Sequence, residues 1–71
     1  MMTIKEVYEK LNKKFPDFHF MCEETISDTA GHCCYISHWK DKSKQSEGIS
    51  VIGDNCVEDA YYLLTDKLHT D

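Results

Sequence analysis

No arginine occurs among the 71 residues, and eight lysines stand against thirteen acidic side chains, for a formal net charge of −5. Affinity for a nucleic-acid backbone comes largely from lysine and arginine. The balance therefore argues against nucleic acid as a partner and suits a protein partner with a basic surface, or simple solubility. Long apolar runs are also missing. The stretch 25–39 is broken by Asp28 and is far too polar to span a membrane. At the N-terminus, "MMTIKEVYEK" brings in Lys5 and Glu6 where the apolar core of a signal segment would run. The expected location is cytoplasmic, where Cys22, Cys33, Cys34 and Cys56 stay reduced. With one proline, three glycines and 41% hydrophobic residues the composition is that of an ordered globular chain. Its length allows a single domain, 1–71, burying only about 60% of the surface its unfolded form exposes.

What is present reads as five elements. Thr3 with Glu6 three positions on makes a capping box. Ile4, Val7, Tyr8, Leu11 and Phe15 then form one stripe of an amphipathic helix that Pro16 stops. Residues 18–26, "FHFMCEETI", alternate: Phe18, Phe20, Cys22 and Ile26 point one way, His19, Met21, Glu23 and Thr25 the other. "SDTAG" supplies a turn, and "GHCCYISHW", 31–39, returns as a second strand. A polar loop, 41–48, leads to a short third strand around Ile49–Ile52. After "GDN", Asn55 caps a second helix with Glu58 in the capping-box position, and Val57, Ala60, Tyr61, Leu64 and Leu68 repeat the helical spacing. Two striped helices need one apolar sheet face between them. The expected fold is α+β, in the order α-β-β-β-α, a three-stranded antiparallel sheet with two helices on one face.

The stretch 31–39 packs two cysteines, two histidines and the only tryptophan together. Pairing Ile26 with His32 sets Cys22 against Ile36 and Phe20 against His38. The helix-covered face then holds Phe18, Phe20, Cys22, Cys34 and Ile36. The open face holds His19, Met21, Glu23 and Thr25 beside Cys33, Tyr35, Ser37 and Trp39, with Ser50 or Ile52 nearby. A slip of one residue would instead bury Tyr35 and Trp39 and expose Cys34 and Ile36. In either register adjacent Cys33 and Cys34 point to opposite faces and do not share a metal readily. No CxxC or HxxxH spacing occurs, although His32 with Cys34, or Cys33 with a residue of another strand, would make a partial site. The simpler role for Cys22, Cys34 and Cys56 is as small core fillers.

For catalysis, Cys33 with His32 or His19 would be the nucleophile–base pair, with Glu23 as an orienting group. A domain this small has little room for the cleft such chemistry needs, and no glycine-rich phosphate loop or paired-carboxylate motif is present. The chain is read as non-enzymatic, with no catalytic residue, metal or cofactor. The candidate binding residues are Met21, Tyr35 and Trp39 on the open sheet face, types enriched at interface centres, together with Glu23. Further acidic residues gather at Asp54, Glu58 and Asp59, with Glu24, Asp28, Asp66 and Asp71 elsewhere. A surface of this kind imitates phosphates and fits a basic groove.

In layout, α-β-β-β-α in about seventy residues, the chain resembles the double-stranded RNA-binding domain. The turn "TAGHCCYI", 29–36, is similar to that family's loop, which by likeness makes His32 a minor-groove contact. The family opens its last helix with a lysine-rich phosphate clamp; this chain has "DNCVEDAYY" there. In style, "MTIKEVYEKLNKKFP" and "GDNCVEDAYYLLTDKL" resemble small acidic α/β proteins of phages and mobile elements, including inhibitors of host defence such as anti-CRISPR proteins. That resemblance implies an inhibitor in the cytoplasm of a bacterial or host cell, binding a nucleic-acid-handling defence protein. Alternatives are a double-stranded RNA-binding-like module and a small Cys/His metal-binding protein. Self-association as a homodimer through the open face is a further expectation.

Overall fold

The computed structural model describes residues 1–41 and 46–70, with Thr70 as backbone alone. Its elements are α1 (Ile4–Lys14), β1 (Phe18–Ser27), β2 (Gly31–Lys40), β3 (Glu47–Ile52) and α2 (Cys56–Thr70). The sheet is antiparallel, in the order β1-β2-β3, and both helices pack on one of its faces. This is the α+β architecture expected. Of the polar loop expected over 41–48, residues 42–45 lie outside the described residues, and Glu47 and Gly48 already belong to β3. β3 begins at Glu47, two positions earlier than its apolar residues suggest.

The capping box on α1 is made. The Thr3 hydroxyl accepts the Glu6 N–H at 3.1 Å, and the Glu6 carboxylate accepts the Thr3 N–H at 3.0 Å. Val7 and Leu11 are fully buried, and Ile4 and Phe15 pack at the core margin. Tyr8 is the exception within the expected stripe, at 43% exposed. The chain leaves the helix with the Phe15 N–H on the Leu11 carbonyl at 2.9 Å. Pro16 then forces the extended exit.

β1 and β2 pair as the alternation requires: Ile26 opposite His32, Cys22 opposite Ile36, Phe20 opposite His38. The turn between them is closed by the Ala30 N–H on the Ser27 hydroxyl at 3.0 Å. Gly31, at φ +74°, takes a left-handed conformation that a side chain would strain. Ile26 departs from expectation. It lies on the helix side by register, yet it is 81% exposed. Residues 23–30 are exposed on both faces, so the hairpin tip runs out past the helices and has nothing to pack against.

At α2, the Asn55 carbonyl accepts the Asp59 N–H at 2.9 Å, which makes Asn55 the cap residue. Glu58 was expected to fold back on Asn55; its carboxylate accepts the Met2 N–H at 2.9 Å. That bond ties the start of α2 to the segment before α1. Val57, Ala60, Tyr61, Leu64 and Leu68 are all buried, as their spacing requires. Beneath the helices Cys34 and Ile36 of the central strand are wholly enclosed.

Two substitutions probe this core by urea denaturation. Thr3→Ala removes a cap and is expected to cost about 1 kcal/mol. Leu64→Ala opens a cavity under both neighbouring strands and is expected to cost about 2–5 kcal/mol, most of the stability of a chain this small.

Candidate interaction surface

The odd-numbered residues of β1 and β2 and the even-numbered residues of β3 form the sheet face that no helix covers. The pairing sets them in rows: His19 with Trp39; Met21, Ser37 and Gly48; Glu23, Tyr35 and Ser50; Thr25, Cys33 and Ile52. Tyr35 and Trp39 are therefore on the open side, and the register slipped by one residue does not occur. Met21 is 36% exposed, Tyr35 38% and Ile52 65%. Of these, Ile52 was the least evident from sequence, because its face depended on how β3 met β2.

The face has relief. A side chain at Gly48 would begin 2.7 Å from Cζ and 2.8 Å from Cε1 of Tyr35, so the tyrosine ring lies across the glycine. A side chain there would have to push the tyrosine ring aside. Ser37, next to Gly48 and between Tyr35 and Trp39 on its strand, is buried although it lies on the uncovered face. The Trp39 indole packs against the His19 ring, centroids 5.8 Å apart and planes 30° apart. His19 in turn pairs through Nε2 with the Asp41 carboxylate. Trp39 is thus held by His19, which limits the side-chain entropy that its burial by a partner would cost.

The sequence candidates fall on two separate surfaces. Met21, Glu23, Tyr35 and Trp39 share the open sheet face. Asp54, Glu58 and Asp59 lie at the start of α2, in the helix layer. Asp54 and Asp59 are exposed, whereas Glu58 is half-buried and engaged with Met2. A shallow cleft beside the start of α2 is lined by Met2, Glu24, His32, Asp54, Asn55 and Glu58, among others. Its volume of about 40 Å³ has room for a water molecule or two and not for a substrate. His32 Nε2 lies 2.6 Å from the Glu24 carboxylate, surrounded by acidic side chains that repel phosphate.

The other chemistry considered from sequence is not brought together. Cys33 pairs with Thr25, six residues along β1 from His19, a separation of roughly 20 Å. His32 points to the opposite face of the strand from Cys33. The Cys33 thiol sits 3.4 Å from the Ser50 hydroxyl. Among the described residues no group of three or more His, Cys, Asp or Glu side chains converges to hold a metal. Nor is any described helix long and apolar enough to cross a membrane. Compared with known proteins, the chain matches no family model, no curated protein and no solved structure.

Burial separates the four thiols, all of them free. Loss of hydration pushes Cys22 up to about 11. It pushes Cys34 up to about 12, with Cys56 and Cys22 adding to the effect. Cys56 is raised by burial as well. These three stay protonated at neutral pH and are poor nucleophiles. Brief alkylation of the folded protein at pH 8, read by mass spectrometry, is expected to label Cys33 well ahead of the others, with all four labelled after denaturation. Stability carries the same signature. Both states keep their thiol protons below the ordinary value of 9.0. Above it the unfolded chain releases protons that the folded chain holds, so stability falls from about pH 9 toward pH 12. Denaturant midpoints measured between pH 7 and 10.5 check the sign, and Cys34→Ala is expected to flatten the slope.

Proposed function

We propose that this chain is a non-enzymatic interaction protein. It works by stoichiometric binding through the open sheet face to a partner with a basic, nucleic-acid-handling surface, in the manner of small phage-encoded inhibitors of host defence such as anti-CRISPR proteins. One observation carries the reading: a sheet face without a helix layer presents Met21, Tyr35 and Ile52 to solvent, with Glu23 in the same rows. A solvated antiparallel face is ordinarily polar, and contiguous exposed apolar residues of this kind mark contact with a partner. The net charge of −5 and the acidic start of α2 favour a basic counterpart by steering and by excluding acidic ones. An RNA-binding module is the rival reading, supported by layout alone. His32, its contact by likeness, is engaged with Glu24.

Affinity capture on the tagged chain from a candidate host, followed by titration of the purified partner, tests this. Binding is expected to weaken about 30-fold or more with Trp39→Ala or Tyr35→Ala, the loss of a central aromatic anchor. Glu58→Lys with Asp59→Lys is expected to slow association and reduce its salt dependence. Double-stranded RNA is expected not to bind at low salt. RNA binding abolished by His32→Ala, or partner binding indifferent to the open-face variants, would overturn the proposal.

A further inference from the structure

The sheet has two edges, and they are unlike. The Gly53 N–H reaches the His32 carbonyl at 2.8 Å, so Gly53 and His32 form a hydrogen-bonded pair in the β2–β3 ladder. Antiparallel pairs alternate between bonded and non-bonded. Val51–Cys34, Ile49–Ile36 and Glu47–His38 are therefore bonded pairs, and Gly48, Ser50 and Ile52 turn their N–H and C=O groups outward along the free edge of β3. By the same count, Phe18, Phe20, Cys22, Glu24 and Ile26 face outward on β1. That edge carries Glu23 and Glu24 in mid-strand, charges of the kind that discourage edge pairing. From Gly48 to Gly53 there is no charge and no proline. Beyond Glu47, no described residue guards the β3 edge.

We propose that the β3 edge pairs antiparallel with the β3 edge of a second copy, about a two-fold axis at Ser50, joining the two sheets into one of six strands. The strand is self-complementary in this register. Ser50 meets Ser50 of the second copy and Gly48 meets Ile52, all through outward-facing backbone groups, while Ile49 meets Val51 on the helix side. Each Ile52, 65% exposed alone, arrives beside a Gly48 that already bears the Tyr35 ring. The helix layer favours a second copy over a lone strand from another protein. α2 packs over both β2 and β3. At about 4.8 Å per strand the two α2 helices come to lie about 10 Å apart, the distance at which helices pack. The α2 flank on that side is marked by Lys67, whose Nζ lies 3.3 Å from the Glu47 carboxylate. One turn earlier on the same flank is Leu63, 54% exposed. Centring the helix pair on Leu63 sets Lys67 of each copy opposite Asp59 of the other.

Light scattering and sedimentation over a concentration series test this on the full chain. The mass is expected to rise from 8.3 kDa to twice that value. Ser50→Pro removes an outward N–H, at a site where an edge strand tolerates proline, together with the hydroxyl beside the Cys33 thiol, and is expected to be monomeric with an unchanged circular dichroism spectrum. Ile52→Lys, at an exposed position, is expected to do the same should the proline variant fail to fold. In a Cys33→Ser background, Ser50→Cys is expected to cross-link two copies on mild oxidation, since bonded antiparallel neighbours sit about 5.5 Å apart at Cα, within disulfide range. Trp39→Ala is expected to remain dimeric, which separates this edge from the open face. A wild-type chain that stays monomeric to about 1 mM, dimers that survive Ser50→Pro and Ile52→Lys, or a complex with a different protein that those variants abolish would each overturn the proposal.

Discussion

β2 is hydrogen-bonded on both sides, to β1 and to β3, and its period of two assigns every other residue of the sheet to a face. Cys34 and Ile36 sit at zero exposure beneath the helices; Cys33 and Tyr35, one step away, lie on the opposite side. Moving the strand by a single residue would turn Tyr35 and Trp39 under the helices and expose Cys34 and Ile36, and would leave the helices facing hydroxyl and thiol groups as well. α1 packs on β1 and α2 on β2 and β3, so neither helix could keep its place after such a slip. The open face, the separation of the thiols and the outward groups of both edges all follow from that register.

Much of this was legible in the residues because the signals are periodic and redundant. The α2 stripe repeats at the helical spacing over about three turns, and every member is buried. The β1–β2 register was readable because a short turn and one apolar face agree on it. The features that were not legible depend on where an element stops relative to its neighbours. Ile26 has the right parity for the core and no helix above it. Tyr8 sits at the edge of its stripe, and Ser37 is buried by neighbours that sequence places beside it only once β3 is in register. Glu58 satisfied the spacing of a capping box, but its partner, Met2, is fifty-six positions away, a distance no local pattern records. The acidic candidates at the start of α2 and the aromatic candidates on the sheet lie on opposite sides of the sheet.

The distribution of reactive groups is also a consequence of packing. A small core needs compact side chains where helices approach the sheet closely, and cysteine serves there as a small hydrophobe. The same burial that makes Cys34 and Cys56 useful as fillers holds their protons on. His38 follows the same logic: it is buried among Phe18 and Phe20, ring centroids 5.6 Å and 6.5 Å away, with the Glu47 carboxylate 4.0 Å from its Nε2. A count of cysteines and histidines therefore overstates the chemistry available in this chain.

The uncovered face and the β3 edge make different demands on a partner, and the geometry lets both be met at once. Edge pairing uses backbone groups in the plane of the sheet, whereas Met21, Tyr35 and Trp39 stand perpendicular to it. Joining two sheets at β3 would bring the Tyr35 rings of both copies onto one continuous surface, with the paired Ser50 residues between them. The face offered to a partner, of which a standard interface buries roughly 800 Å² per side, would be doubled. The charge is no obstacle. The carboxylates at the hairpin tip, Glu23, Glu24 and Asp28, belong to or follow the opposite edge, more than a strand's width from the axis, and exposed charges beyond about 8–10 Å are largely screened at physiological salt. Asp59 would then be taken up at the seam between the copies, and the acidic groups left to a basic partner on the helix side would be Asp54 and Glu58.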